Sequence, residues 1–345
     1  MYSKMLQIVG AGLALSLAGM PIANAQTVEE FYSNNPLTIV ASAAGGGGID
    51  TYVRQFAPFL QKHMPGNPDI IITNMPGASG MTAAIHMQAA APRDGSLITF
   101  LQRNNLYLPL VSEVDVEFDP REVNWIGSLN KEAYALLVRS DIEAQVPEDI
   151  FSTPIKLGAT SYANENRVLP AMMNEFFDTQ FDIIPGYDGS PAISLAIERG
   201  EVDGRMIAID YLMGFGIEKP WLEDGQVQVL LQTAMEPDPR FPDAPNILEF
   251  TDDPAKRAVA EFFLLPMEAG QPFAAPPGIP EDRLAALRQA FIDAATDPEY
   301  LAVANTSGAD PKPITGEEVE DVVGRIYEAT DETLAVVRTL INPPS

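Results

Sequence analysis

The chain has 345 residues, no cysteine, and 48 acidic against 21 basic residues, for a formal net charge of −27. That balance argues against nucleic acid, which needs a basic footprint, and against anionic lipid surfaces. The missing cysteines exclude disulfides, a thiol nucleophile and a lipid anchor on an N-terminal cysteine.

Lys4 is the one charged side chain ahead of the apolar run Leu6–Met20, which Pro21 breaks. Ala23-Asn24-Ala25 then supplies the small-x-small pattern of a signal-peptidase site, so a signal peptide over residues 1–25, cleaved after Ala25, and a periplasmic chain are expected. The apolar run is too short for a comfortable membrane span. The mature chain is longer than the size at which one hydrophobic core stops growing, so two lobes are expected.

Past the cleavage site the sequence reads as repeated strand–loop–helix steps. A buried strand at Leu37–Ala41 runs into the glycine loop Gly45–Gly48, and an amphipathic helix near Asp50–His63 carries Val53, Phe56, Phe59 and Leu60 on one stripe. A strand at Ile70–Asn74 leads to the loop Pro76–Gly80, where Ser79 is placed to cap a helix that Pro92 ends. A third strand covers Leu97–Leu101. The middle of the chain repeats this pattern, with strands at Ile155–Gly158 and Phe181–Ile184 and a return strand near Val202–Ile209. A helix near Arg167–Phe177 and another opened by Ser190 and Pro191 lie between them. Alternating strands and helices predict an α/β chain with mostly parallel sheets. The first crossing between lobes falls near Gly127–Val138 and the return near Phe262–Pro277. Lobe 1 is then 26–130 plus 266–345, and lobe 2 is 131–265. Helices at Glu281–Ala295 and Glu317–Val337 are expected to pack back on the first lobe.

In such sheets ligands sit beyond the carboxyl ends of the strands, which places four small-residue loops at a common site. Each offers backbone N–H groups at a helix start, an anion site that needs no basic side chain. A flexible turn without ligand is the alternative for the glycine run alone. That run lacks the third glycine of a dinucleotide fingerprint and the Gly-Lys-Ser/Thr of a P-loop. No Gly-x-Ser-x-Gly elbow occurs, and His63 and His86 fall late in predicted helices at a separation that does not fit a helical metal pair. No enzyme, metal or cofactor is expected. Arg103, Arg167 and Arg205 lie near loop ends, where each is positioned either to pair with a ligand carboxylate or to join a surface ion pair. Tyr107, Tyr162 and Tyr187 are aromatic candidates for a pocket lining or for packing.

The segments Leu37–Arg54, Asn74–Gly80 and Ala91–Gly95 resemble, in order, motifs of the tripartite tricarboxylate transporter receptors, also called the Bug family. So do Gly186–Gly189, Glu198–Val202 and Pro272–Gly278, and together they span nearly the whole mature chain. The resemblance implies a type II periplasmic-binding fold whose two lobes close on a small carboxylate, held largely by loop amides and ordered water. It implies ligand contacts from Ala44, Gly45, Gly46, Gly47 and Gly48, and from Gly77, Ala78, Ser79 and Gly80. The second lobe would add Thr160, Ser161, Asn164 and Tyr187, with Asp50 as a cap. Membrane permease subunits would be the partners of a monomeric receptor. A ligand sensor for a membrane signalling protein, or an enzyme on the same scaffold, are the competing readings. The glycine loop is one residue longer than the family's usual pattern, and Ala159–Arg167 carries Glu165 and Arg167 where glycines are common. Gly47→Asp is expected to abolish binding by placing a carboxylate in the cradle; calorimetric titration checks this, and unchanged affinity would remove the loop from the site.

Overall fold

The computed structural model describes residues 26–46, 48–112, 116–160, 164–214, 216–306 and 310–341, so the expected signal peptide, Gly47, Ser161 and Tyr162 lie outside the described residues. The chain opens with α1 (Val28–Asn34), closed by a capping box between Thr27 and Glu30. Then come β1 (Leu37–Ala41), α2 (Gly48–His63), β2 (Ile70–Asn74), α3 (Met81–Ala89), β3 (Leu97–Phe100), α4 (Leu108–Val111) and β4 (Asn124–Ser128). The chain crosses into β5 (Tyr134–Arg139), followed by β6 (Ile155–Gly158), α5 (Glu165–Phe177), β7 (Phe181–Ile184), α6 (Ser190–Glu198) and β8 (Gly204–Ala208). After α7 (Ile209–Gly214), α8 (Lys219–Glu223), β9 (Val227–Thr233) and α9 (Pro254–Leu264) it returns through β10 (Pro272–Ala275). The last elements are α10 (Glu281–Ala295), α11 (Pro298–Thr306), β11 (Ile314–Thr315), α12 (Gly316–Tyr327) and α13 (Asp331–Ile341).

Two sheets result, one ordered β11-β4-β10-β3-β1-β2 and the other β7-β6-β8-β5-β9. Strands joined by a helical crossover pair in parallel: β1 with β2 and β3, and β6 with β7 and β8. Strands that arrive from the other sheet or from the tail pair antiparallel, as β10 does with β3 and β4, and β5 with β8 and β9. The sheets are therefore mixed, because the two crossings enter without a helix to reverse the chain.

Side-chain alternation explains the layering. Leu37, Ile39 and Ala41 of β1 face a core that includes Phe56, Phe100, Phe273 and Phe291, whereas Val40 faces the opposite side with Met81, Ala84 and Trp125. The ring of Phe56 meets Phe273, Phe291 and Tyr300 at centroid distances of 5.7, 5.3 and 5.3 Å, which locks α2, α10 and α11 onto the first sheet. In β5, Leu136 and Val138 join the same cluster as Val40 and Trp125, while Ala135 and Leu137 pack under α7 and α8. One apolar cluster thus runs from the first sheet into the second.

Several local expectations change. Ser79 does not cap α3: it lies in a left-handed conformation (φ 53°), and Gly80 takes the N-cap position without a side-chain bond. Ser190 likewise falls inside α6, with Gly189 as its N-cap, so the Ser190 hydroxyl is left to serve Arg205. The single tail helix predicted over 317–337 is two, α12 and α13, and α13 packs on α4, α5 and α9 rather than on the first sheet alone. His63 bonds the Asp297 carboxylate at 2.8 Å beside Lys62, tying α2 to the start of α11.

Gly127 in β4 has no room for a side chain: an added carbon would stand 2.4 Å from Phe291 Cε1 and 2.8 Å from the Ile314 carbonyl. Gly127→Ala is expected to destabilise the fold by about 2 kcal/mol, within the ~1–3 kcal/mol of overpacking. Urea unfolding measures it, and an unshifted midpoint would contradict this packing.

Candidate functional site

A cavity of about 440 Å³ opens between the two sheets. From the first sheet's side it is walled by Ile49 and Tyr52 of α2, Ser79, and the run Phe100–Asn104 that leaves β3. The second sheet contributes Tyr134 of β5, Thr160 and Asn164–Asn166 ahead of and into α5, Gly189 and Ser190 at the head of α6, and Arg205–Ala208 with Asp210 and Tyr211. Glu132 and Gln271 come from the two crossings between sheets. The volume suits a small organic ligand.

Arg103 is the centre of its polar wall. The sequence turns from the buried strand Leu97–Phe100 directly into Gln102-Arg103-Asn104-Asn105, a short 3-10 turn in which Asn105 Oδ1 accepts the Gln102 amide at 3.2 Å. The turn projects Arg103 across the gap. Its Nε donates to Glu165 Oε1 at 3.0 Å, its Nη1 to Glu132 and its Nη2 to the Tyr134 hydroxyl, and the guanidinium lies 5.4 Å from the Tyr134 ring centroid. Burial opposes the charge on Arg103, but Glu132 and Glu165 outweigh it and drive its pKa further up. Burial also pushes the Glu132 carboxyl above its ordinary range, against the pull of Arg103. The surface ion pair set against ligand pairing for this arginine is instead an ion pair inside the cavity.

Arg205 is the second cation. It is almost fully buried, donates to the Ser190 hydroxyl at 2.8 Å and pairs with the buried Glu218 at 3.4 Å. Burial lowers its pKa, with Glu218 opposing. Asp210 faces the cavity as well, accepts from Asn130 Nδ2 and pairs with Arg240; burial raises its pKa and Arg240 opposes.

Of the residues expected from sequence, the cavity brings together Ser79, Arg103, Thr160, Asn164 and Arg205. The structure gives several of the loop amides internal partners. Gly46 N–H donates at 2.8 Å to Asp50, whose carboxylate also accepts from Arg54 Nε and Asn74 Nδ2 at 2.9 Å each. Arg54 above all, then the Gly46 amide and Asn74, hold the Asp50 carboxyl well below its usual range. Asp50 is thus a buried brace of the glycine loop. Thr160 N–H is taken by Asn166 Oδ1 at 3.1 Å, and Asn164 caps α5 by accepting from Asn166 N–H at 3.1 Å.

Ala44, Gly45 and Gly46 are exposed beside the cavity residue Ile49 and are not among the residues of its wall, and Gly48 opens α2. Gly77, Ala78 and Gly80 shape the turn rather than the wall. Ala78 and Ser79 both adopt positive φ (46° and 53°), strain of the kind found at ligand clamps, and the Ser79 carbonyl is fixed by Asn105 Nδ2 at 2.9 Å. Tyr187 packs with the α6 cluster, and Arg167 donates to the Leu340 carbonyl of α13, so neither reaches the cavity wall. Tyr107 is buried against Phe262. Glu132, Tyr134, Asp210 and Gln271 were missed. Asp210 stands across Met-Ile-Ala-Ile from the candidate Arg205, and that placement of charges about an otherwise apolar strand is the signal that could have found it.

Residues 53–325 match the family model for the tripartite tricarboxylate transporter family receptor, and the chain belongs to that family. A ligand-free TctC solute-binding protein from Polaromonas is 19% identical and covers 90% of this chain and 99% of its own, with a TM-score of 0.67. MatC from Rhodopseudomonas palustris, with bound malate, is 19% identical, covering 89% and 99% with a TM-score of 0.61. Rpa4515 from R. palustris, with adipate, is 17% identical, covering 89% and 98% with a TM-score of 0.64. Among the described residues no helix is long and apolar enough to cross a membrane, and no group of acidic or histidine side chains is arranged to hold a metal.

Removing Arg103 leaves Glu132 and Glu165 facing each other without a cation. Arg103→Ala is expected to cost about 3 kcal/mol, the lower end for breaking a buried pair because the cavity admits water. The pH dependence follows from the raised pKa of Glu132. A carboxyl whose folded pKa lies above its unfolded value favours the fold at low pH and loses that advantage as pH rises through the folded pKa. Arg103 pulls the Glu132 pKa down, so its removal raises that pKa further, and the deficit of the variant is larger at pH 8 than at pH 5. Urea unfolding of both proteins at the two pH values measures it; a pH-independent deficit would contradict the burial of this cluster.

Proposed function

We propose that this receptor-family chain is a periplasmic solute-binding protein that captures a small carboxylate between two lobes and delivers it to membrane permease subunits of a tripartite tricarboxylate-type transporter. The observation that carries this reading is the cavity walled from both sheets, with polar side chains converging from four separate loops. Malate and adipate in the two R. palustris relatives support a small organic acid as the ligand class.

In this reading the lobes are 26–130 with 266–345, and 131–265, and they close about the two crossings near Leu129–Ala133 and Gly270–Gln271. Closure expels water, which strengthens every polar contact inside. The Ser79 and Thr160 hydroxyls and the Asn164 side chain, set at opposite rims, contact the ligand from both lobes. Arg103 supplies a planar donor fork that a ligand carboxylate shares with Glu165. The protein acts as a monomer after removal of residues 1–25, and no chemistry is performed on the ligand.

Thermal unfolding of the purified protein, screened against linear and branched mono-, di- and tricarboxylates and amino acids at low and high salt, tests the reading. A ligand present at a hundred times its dissociation constant adds about 2.7 kcal/mol of stability. A clear upward shift with one class of acid is expected. No shift with any acid, after co-purified ligand has been stripped, would overturn it.

A further inference from the structure

Around the cavity, cations are outnumbered. Arg103 is shared by Glu132 and Glu165, Arg205 serves Glu218, and Arg240 is shared by Asp210 and Asp238. Three guanidiniums thus answer five carboxyls in this network. Of these groups the cavity wall holds two guanidiniums, Arg103 and Arg205, and three carboxyls, Glu132, Glu165 and Asp210.

The acids are not spread evenly. Asn130 donates to Asp210, and Gly270, whose N–H donates to the Asn130 carbonyl at 3.0 Å, lies against the Glu132 side chain, so the two carboxyls flank one segment of the crossings; Asp210 acts on Glu132 in the direction that opposes ionisation. Hydrogen bonding has the same bias. Asn104, 7% exposed and part of the cavity wall, has its Oδ1 buried without a donor. Asn130, whose Nδ2 serves Asp210, also leaves its Oδ1 without a donor. Buried acceptors that lack donors are costly unless something supplies them. A plain dianion brings further acceptors and negative charge to these groups, whereas an ammonium brings three N–H donors and the missing positive charge.

We propose that the Glu132–Asp210 part of the cavity, which shares its wall with Asn104, is a subsite for a cationic nitrogen, so that the captured solute is a carboxylate that also carries an ammonium group. This rests on the receptor function proposed for the same cavity. The solute's carboxylate lies toward Arg103, Ser79 and Thr160, and its ammonium lies toward Glu132 and Asp210. Glu132 and Asp210 then act as specificity-determining residues that reject diacids of the same length.

Calorimetric titration of the stripped wild-type protein with matched probes tests this. Glutarate, L-glutamate and 4-aminobutyrate are compared with one another, as are succinate, L-aspartate and 3-aminopropanoate, at low and high salt. At least one amino acid is expected to bind ten times tighter or more than the diacid of its set, and Glu132→Gln is expected to remove most of that preference. Diacids that bind as tightly as the amino acids, or tighter, would overturn the cationic subsite and leave the receptor reading standing. No binding by any probe, together with no shift in the wider acid screen, would overturn both. The wild-type comparison stands whether or not Glu132→Gln folds.

Discussion

The site depends on one shared guanidinium. Arg103 leaves the end of β3 and finds partners that are 29, 31 and 62 residues further along the chain: Glu132 in the first crossing, Tyr134 in the second sheet, and Glu165 at the head of α5. A buried charge must be compensated where it sits, since desolvation costs several kcal/mol per ion. The compensation here comes from across the gap, from the first crossing and from the second sheet's side. The ion pair therefore holds the two halves in register across the cavity.

The rest of the fold supplies the rigidity this arrangement needs. The phenylalanine cluster fixes α2, α10 and α11 against the outer face of the first sheet, and the second apolar cluster joins its inner face to the second sheet. Asp50 draws the glycine loop onto α2 and β2, using an amide that was expected to meet the ligand. The backbone strain at Ala78 and Ser79 is held by Asn105, a neighbour of Arg103 in the same turn. Loop geometry and charge placement are thus coupled through two residues, Arg103 and Asn105, of one 3-10 turn.

Much of the scaffold was legible in the sequence. The bounds of β1, β2, β6, β7 and α10 coincide with those read from it, because each is an apolar or amphipathic run with turn residues or a proline at its edges. Strands β5 and β9 escaped assignment as elements, since their pairing is set by antiparallel neighbours far away in the chain. The caps at Ser79 and Ser190 were misplaced because a glycine with positive φ, Gly80 or Gly189, takes the position that side-chain chemistry assigns to serine. In the cavity wall, Ser79, Arg103, Thr160, Asn164 and Arg205 are residues that loop grammar, scarce basic side chains and family motifs had singled out. Glu132 and Asp210 were not, because a carboxyl in an acidic chain carries no signal until its burial is known.

Hydrogen exchange with and without the tightest-binding acid of the thermal screen tests the central claim, that the ligand is held between the sheets by groups from both. Slowed exchange in residues 101–107 and, together with it, in 164–167 and 205–211 is the result the account predicts. Protection confined to one sheet's loops, or centred on the groove between Gln88, Phe118 and Tyr327, would contradict it.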